Sequence, residues 1–325
     1  MKAPSCAAIL RLDALGDSLL ALPAVEALGR AWPQTRLVVV ASPIGSPVFA
    51  GCAEVWVGTQ GLAQRLRESG CEVVLSFSEK RPVLQAAAHS GAPVRVGFDP
   101  GRTQPLKSLW LRAALTHRVP WPNDPTRDPG MHEVERFFLL LGALGLELPH
   151  TPPHLRFTPG EEDRAWAREF LASFDSPPVA VQWMPRWTAG GWPETLIGEV
   201  VDRLEDPRIV LFSPPDQPQA EPWARQRGLA WSCTPDLGRY AAILSGCRAL
   251  ITPDGGAAHM AAAVGTPVVD LFFQRHSTHT VRRWHPWGVE HRIVLRGDYI
   301  AGAEKDLAER LVASVEELCR SNSAS

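Results

Sequence analysis

The chain of 325 residues lacks any uncharged run of 18 residues or more, so nothing in it reads as a membrane-spanning helix. Its start, MKAPSCAAILRLDALGDSLLALP, lacks the unbroken apolar stretch of a secretory leader, because Arg11, Asp13 and Asp17 interrupt it. The expected location is therefore the cytoplasm, with peripheral contact at the cytoplasmic face of the inner membrane left open. There is no CxxC pair and no zinc-finger spacing. The six cysteines (Cys6, Cys52, Cys71, Cys233, Cys247, Cys319) read instead as small apolar core residues in a reducing compartment. The net charge is only −2, so there is no global attraction to nucleic acid, and none is expected as a partner. No fixed-period repeat or low-complexity block appears. Neither GxGxxG nor GxxxxGK[ST] occurs, so a dinucleotide fingerprint and a P-loop are both missing, and a nucleotide-dependent oxidoreductase has little support.

What is present is alternation. AAILRL (7–12), RLVVVA (36–41), EVWVG (54–58), EVVLSF (72–77) and VRVGF (94–98) read as short strands. Between them LPAVEALGRAW (22–32) and GLAQRLRESG (61–70) place apolar residues three and four apart, as helices do. After Phe98 prolines break the pattern until the helix at MHEVERFFLLLGALGL (131–146), and PHTPPHLRFTPG (149–160) reads as a linker. Alternation then restarts with strands at 179–184, 209–213, 249–254 and 268–273. Helices are expected at 161–174, 193–205, 239–247 and 303–321. The expected fold is α/β: two Rossmann-like doubly wound parallel-sheet domains facing a cleft, with ligands at the carboxyl ends of the strands. The expected boundaries are 1–152, 153–302, and a C-terminal helix and tail at 303–325.

Two turns stand out. In ALITPDGGAAHMAAAVG an apolar strand ends at Asp254, Gly255 and Gly256 allow a tight turn, and a small-residue helix opens whose first N–H groups suit a diphosphate. A bland reading makes Asp254 a helix cap and His259 a polar residue at the helix edge. RLDALGDSLLALPAVEAL (11–28) repeats strand, turn and helix, with Gly16 in the turn and Asp17 at the helix mouth. There Asp17 as an N-cap, and Pro23 as a kink or a late helix start, are the competing readings.

These two segments, with HEVERFFLLLGALGL, the WPE at 192–194 and LGRYAAILSGCRALITPDGGAAHMAAAVGTPVVDLF, resemble the bacterial lipopolysaccharide heptosyltransferase family (glycosyltransferase family 9) over nearly the whole chain. The resemblance implies an inverting glycosyltransferase of the GT-B arrangement. Its N-terminal domain would take the acceptor, its C-terminal domain would bind a nucleotide sugar, and its final helix would pack back on the N-terminal domain. The donor would be ADP-linked, by default ADP-heptose. The acceptor would be an anionic surface glycan or a lipid-linked one. No cofactor and no metal are expected, and no DxD-like pair is apparent. Asp17 matches the family's proposed general base, with Asp13 as the rival in the same turn. Asp254, Gly255, Gly256, Ala257 and His259 match the donor site. Arg11 would serve phosphate or pair with either aspartate.

The sequence also departs from the family. The lysine usual before the WP pair is replaced at Gly190, and Arg186 is the nearest cation, a phosphate ligand or an ordinary surface residue. Asp216 and Gln217 stand where the family often places an acidic residue for the ribose. The loop FQRHSTHTVRRWHPWG (273–288) is longer than the family's, and its His276, His279, Arg282 and Arg283 are substitutes for phosphate contacts or a solvated charge run. A catalytically inactive nucleotide-sugar-binding or scaffolding relative is the alternative function. On the acceptor side, Lys80 and Arg81 follow the fourth strand and could meet an anionic acceptor. RTQPLKSLWLRAALTHR (102–118) reads as a helix with its apolar stripe on the core, or as a segment touching a membrane or a lipid acceptor. Trp183, Trp187 and Trp192 suit sugar stacking or core packing.

Overall fold

The computed structural model describes residues 2–121, 130–184, 186–189, 191–193, 195–205, 207–212, 220–273, 278–296 and 304–322. The chain forms two compact units. The first comprises Met1–Pro153 with Arg282–Trp284, and the second His154–Val281 with His285–Ser325.

In the first unit the strands are β1 (Cys6–Arg11), β2 (Arg36–Ala41), β3 (Glu54–Val57), β4 (Val73–Ser76), β5 (Val94–Asp99) and β6 (His117–Pro120). They form one parallel sheet in the order β3-β2-β1-β4-β5-β6. The helices are α1 (Leu15–Ala31), α2 (Ser46–Phe49), α3 (Leu62–Glu68), α4 (Arg81–Ala88), α5 (Pro105–Ala114) and α6 (Glu133–Gly142). The central strands are buried on both faces, which is why they read as unbroken apolar runs rather than alternating ones. Helix α1 starts at Leu15 and runs through Pro23. The ring nitrogen of Pro23 cannot donate to the preceding turn, yet the helix continues because Leu19, Leu20, Leu22 and Val25 are buried. Between β5 and β6, where prolines suggested irregular chain, Pro105 occupies the first turn of α5 and starts the helix.

The second unit repeats the plan. Its strands are β7 (Val179–Trp183), β8 (Arg208–Phe212), β9 (Ala230–Ser232), β10 (Ala249–Pro253), β11 (Val268–Phe272) and β12 (His291–Leu295), parallel in the order β12-β11-β10-β7-β8-β9. Its helices are α7 (Glu161–Leu171), α8 (Arg186–Ala189), α9 (Thr195–Arg203), α10 (Ala220–Gln226), α11 (Leu237–Ser245), α12 (Gly256–Ala263), α13 (Thr278–Trp284, whose last three residues belong to the first unit) and α14 (Glu304–Asn322). Counted from its own first strand, each sheet has the order 3-2-1-4-5-6 of a dinucleotide-binding fold. The two-sheet α/β architecture is as expected.

The final helix departs from expectation. The resemblance implies that it packs back on the N-terminal domain, whereas α14 is built into the core of the second unit. Leu307, Leu311, Val315 and Leu318 form a stripe three and four apart and are buried with Leu196, Val200 and Ile251. An amphipathic helix goes where its stripe finds an apolar partner, and here α9 and the sheet of its own unit provide one. No described helix is long and apolar enough to cross a membrane.

Candidate functional site

In a doubly wound sheet, the connections leave in opposite directions on either side of the first strand, and the crevice between strands one and four is where ligands sit. In the first unit that crevice lies between the carboxyl ends of β1 and β4, so the turn 11–17 and the segment 77–80 meet although 66 residues of sequence separate Arg11 from Phe77. Arg11 closes β1 and is buried. Its Nη2 donates to Asp17 Oδ1 at 2.8 Å, and its Nε to the Asp17 carbonyl at 3.0 Å. Its Nη1 donates to Asp13 Oδ2 at 3.1 Å and to the Phe77 carbonyl at 2.8 Å. The guanidinium lies 4.8 Å from the centre of the Phe137 ring, which stacks on Phe77. Of the two roles open to Arg11 in the sequence, the geometry has it pairing with both aspartates.

The two aspartates differ in what they have left to offer. Asp13 accepts from Arg11 on Oδ2, and on Oδ1 from Lys80 Nζ at 3.1 Å and Ser78 Oγ at 3.3 Å. Asp17 sits in the first turn of α1, where Oδ2 accepts the Ala14 N–H at 3.1 Å. Its side chain remains 24% exposed, and each oxygen keeps a lone pair for a ligand. Burial pushes its carboxyl above the ordinary aspartate range. Arg11 and the Ala14 N–H oppose the rise, and the charges of Asp13 and Glu133 add to it.

Behind this pair lies a charge cluster that the sequence reading did not single out. Glu133, at the start of α6, is buried and accepts from Arg136 Nη1 at 2.7 Å and Arg283 Nε at 2.7 Å, with Arg11 Nη2 at 4.0 Å. Arg136 is fully enclosed and also reaches Glu79 at 2.8 Å. Burial alone would raise the Glu133 carboxyl, but Arg136, Arg283 and Arg11 outweigh it and hold it down at about 2. The signal was present in HEVERFFLLL. Glu133 and Arg136 lie on the same helical face as Phe137 and Leu140, so a stripe drawn at helical spacing puts both charges inside. Arg283 is therefore tied into an internal ion cluster rather than forming part of a solvated run. A cavity of about 360 Å³ opens over Arg11, Asp13, Asp17, Glu133 and Arg283, and is closed on other sides by Lys80 and Trp284. Lys80 also donates to the Leu12 carbonyl at 3.2 Å, and Arg81 points outward at the start of α4.

In the second unit the equivalent crevice lies between β7 and β10. Asp254 follows β10, its N–H bonded to the Leu271 carbonyl at 2.9 Å. The residue that caps α12 is Gly255, not Asp254. Gly255 has φ 155° and ψ −160°, a region almost closed to side-chain-bearing residues. Gly256 and Ala257 then occupy the first turn, where backbone N–H groups have no partner within the helix. His259 lies one turn in, and its side chain is buried rather than at the helix edge. Replacing Gly255 with Ala is expected to cost about 1–3 kcal/mol of stability through backbone strain. A urea titration of the two proteins checks this, and equal midpoints would remove the claim of strain. Trp183, Trp187 and Trp192 are all core residues, and Trp187 Nε1 donates to the Gln182 carbonyl at 2.6 Å. Arg186 begins α8, but its side chain, with Gly190, Asp216, Gln217 and His276, lies outside the described residues. Among the described residues no group of three His, Cys, Asp or Glu is placed to hold a metal, and the expectation of a metal-free reaction rests on the resemblance.

The first unit sets a partly exposed carboxylate beside cations at the switch point of a doubly wound sheet, where α/β enzymes take polar ligands. The model of glycosyltransferase family 9 (heptosyltransferase) matches residues 61–311, and the chain belongs to that family. It is a glycosyltransferase. The match begins after Asp13 and Asp17, so their roles rest on the geometry above and on the resemblance. The chain is 21% identical to the lipopolysaccharide core heptosyltransferase OpsX of Haemophilus influenzae, over 83% of this chain and 80% of that one. The fold is shared with a glycosyltransferase family 9 structure from Veillonella parvula DSM 2008, at TM-score 0.79, 20% identity and 98% coverage of both chains. It is shared also with E. coli heptosyltransferase WaaC solved with ADP-2-deoxy-2-fluoro heptose, at TM-score 0.68 and 17% identity, covering 95% of this chain and 99% of that one.

Proposed function

We propose that this glycosyltransferase moves a heptose from an ADP-linked donor to an anionic, lipid-linked or surface-glycan acceptor of the lipopolysaccharide core type, with inversion and without a metal. Asp17 takes the proton of the acceptor hydroxyl as that oxygen attacks the anomeric carbon. The bond from the anomeric carbon to the diphosphate breaks, and ADP leaves with the electron pair. The backbone N–H groups of Gly255, Gly256 and Ala257 meet the charge developing on the diphosphate, with Asp254 and His259 beside the sugar, and the resemblance assigns Arg186, Asp216 and Gln217 to the same donor. Lys80 and Arg81 meet the acceptor's negative charge, and Arg11 holds Asp17 in place.

The observation that carries this reading is the state of Asp17. It is anchored on both oxygens, still open to a cavity, and made more basic by burial. The ADP-linked heptose follows the ligand named for the E. coli relative. Calorimetric titration with ADP, UDP, GDP and ADP-heptose tests the donor. Selective binding of ADP and ADP-heptose, weakened in Asp254→Ala and His259→Ala, is expected. Selective binding of another nucleotide would replace the donor. Binding of ADP-heptose without turnover on any lipopolysaccharide-core acceptor would favour the inactive relative. Transfer should persist in excess EDTA, and its loss there, restored by added divalent ion, would overturn the metal-free step.

A further inference from the structure

Helix α5 is amphipathic in the wrong direction for a helix that only covers a core. Its inner face, Ser108, Leu111 and Ala114, packs against the first unit, with Leu111 and Ala114 joining Leu84 and Leu115 in a small core. Its outer face is apolar too. Leu106, Leu109, Trp110 and Ala113 recur at i, i+3, i+4 and i+7, and the three large side chains are 84%, 64% and 37% exposed. The expectation that the apolar stripe of this segment lies on the core thus holds for one face only. A second stripe of large apolar residues facing water is a cost unless something covers it.

The charges around the stripe say what covers it. From Pro100 to Trp121 the chain carries Arg102, Lys107, Arg112 and Arg118 and no carboxylate. Arg118 is taken by Asp99, but Arg102 and Arg112 are exposed and flank the apolar stripe. Arg81 and Lys107 line a cavity of about 510 Å³ together with Leu84, Leu106 and Trp110. Among the described residues lining that cavity, Glu79 alone is acidic, and its charge is met by Arg136. An apolar ridge with a tryptophan, ringed by cations of one sign, matches the boundary between acyl chains and anionic head groups. A second copy of this chain would bring an equally cationic rim against this one, which like charges oppose.

We propose that α5 is a membrane-docking helix: Leu106, Leu109 and Trp110 enter the interface of an anionic bilayer, and Arg81, Arg102, Lys107 and Arg112 meet its phosphate head groups. The docking does not depend on the donor. Under the function proposed above, it would bring a lipid-linked acceptor to the rim of the Asp17 cavity, since Glu79 lines both cavities.

The test is flotation of the full chain with vesicles of phosphatidylcholine alone and of phosphatidylcholine containing phosphatidylglycerol. The protein is expected to float with the anionic vesicles only, and less as salt is raised. Leu106→Glu/Trp110→Glu and, separately, Arg102→Glu/Arg112→Glu are expected to reduce binding by at least about tenfold, with unchanged melting and unchanged ADP titration. Flotation with neither vesicle overturns the proposal. Equal flotation of wild type and both variants overturns it as well, because the surface would then lie elsewhere. A dimer in solution that Leu106→Glu/Trp110→Glu converts to monomer, without vesicle binding, would assign the face to a second copy. A protein that fails to bind ADP but floats as expected would leave the docking intact and count against the proposed donor.

Discussion

Asp17→Asn is expected to lower kcat for transfer by about 100-fold to 10,000-fold, the range for loss of a positioned general base, and to leave ADP affinity unchanged. The substitution keeps the shape of the side chain and removes the lone pair that takes the proton. One of its two anchors suffers, because Asp17 accepts from both Arg11 and the Ala14 N–H, and an amide has only one accepting end. A melting curve therefore accompanies the kinetics. Asp13→Asn should cost less, because the oxygens of Asp13 are committed to Arg11, Lys80 and Ser78. The pH profile separates a chemical role from a structural one. Burial raises the carboxyl of Asp17, Arg11 opposes the rise, and Asp13 and Glu133 add to it. The base acts only when ionised, so kcat/KM of the wild type should fall as pH drops through a value above the ordinary aspartate range. Asp17→Asn should lose that acid limb. Turnover near wild type, or an unchanged acid limb, would remove Asp17 from the chemistry.

The fold was legible where one element decides its own shape. Runs such as RLVVVA can only be buried strands, and EKDLAERLVASVEELCRS can only be a helix with one apolar stripe. Strands β6, β9 and β12 escaped because HRVP, AWS and HRIVL are short or open on charged residues, and they are strands by virtue of a neighbour's unpaired edge. Helix α5 falls inside the helix read at 102–118, and Pro105 fixes where it starts, since a proline that ends one helix can begin another. The stripe of α14 announced a buried face without naming the surface that buries it. The same limit governs the site. Asp17 and Asp254 were legible because each stands beside a glycine just past a strand end, Asp17 in the first turn of α1 and Asp254 ahead of α12. The partners of Asp17 were not, since Phe77, Ser78 and Lys80 reach it only through the pairing of β1 with β4. Glu133 and Arg136 are harder to read as a site, because a charged residue in an apolar helix is ordinarily on the wet side, whereas both are buried here.

Glu133→Gln is expected to destabilise the first unit by about 3–5 kcal/mol, the cost of breaking a buried ion pair by removing one partner. The loss falls unequally on the three cations that converge on Glu133. Arg283 is 20% exposed and can turn to water. Arg11 keeps Asp13, Asp17 and the Phe77 carbonyl. Arg136 has no exposed surface, and among the described residues Glu79 is the one carboxylate left to it, beside the Phe98 ring at 4.6 Å. The double substitution Glu133→Gln/Arg136→Met should therefore recover most of the loss, because it removes the stranded charge and fills its place with apolar volume. Glu133 also sets an acid limit. Burial opposes its charge, yet Arg136, Arg283 and Arg11 hold its carboxyl at about 2, below the 4.5 of an unperturbed glutamate. A depressed folded pKa gives stability that is complete above the unfolded value and is lost as pH falls through the folded one. The window runs from about 4.5 down to about 2, and the difference amounts to about 3 kcal/mol. Urea midpoints measured for wild type and Glu133→Gln across that range should converge as pH falls. If the gap between them stayed constant, Glu133 would hold α6 by packing alone, and the anchoring of Arg11 and Asp17 would owe nothing to its charge.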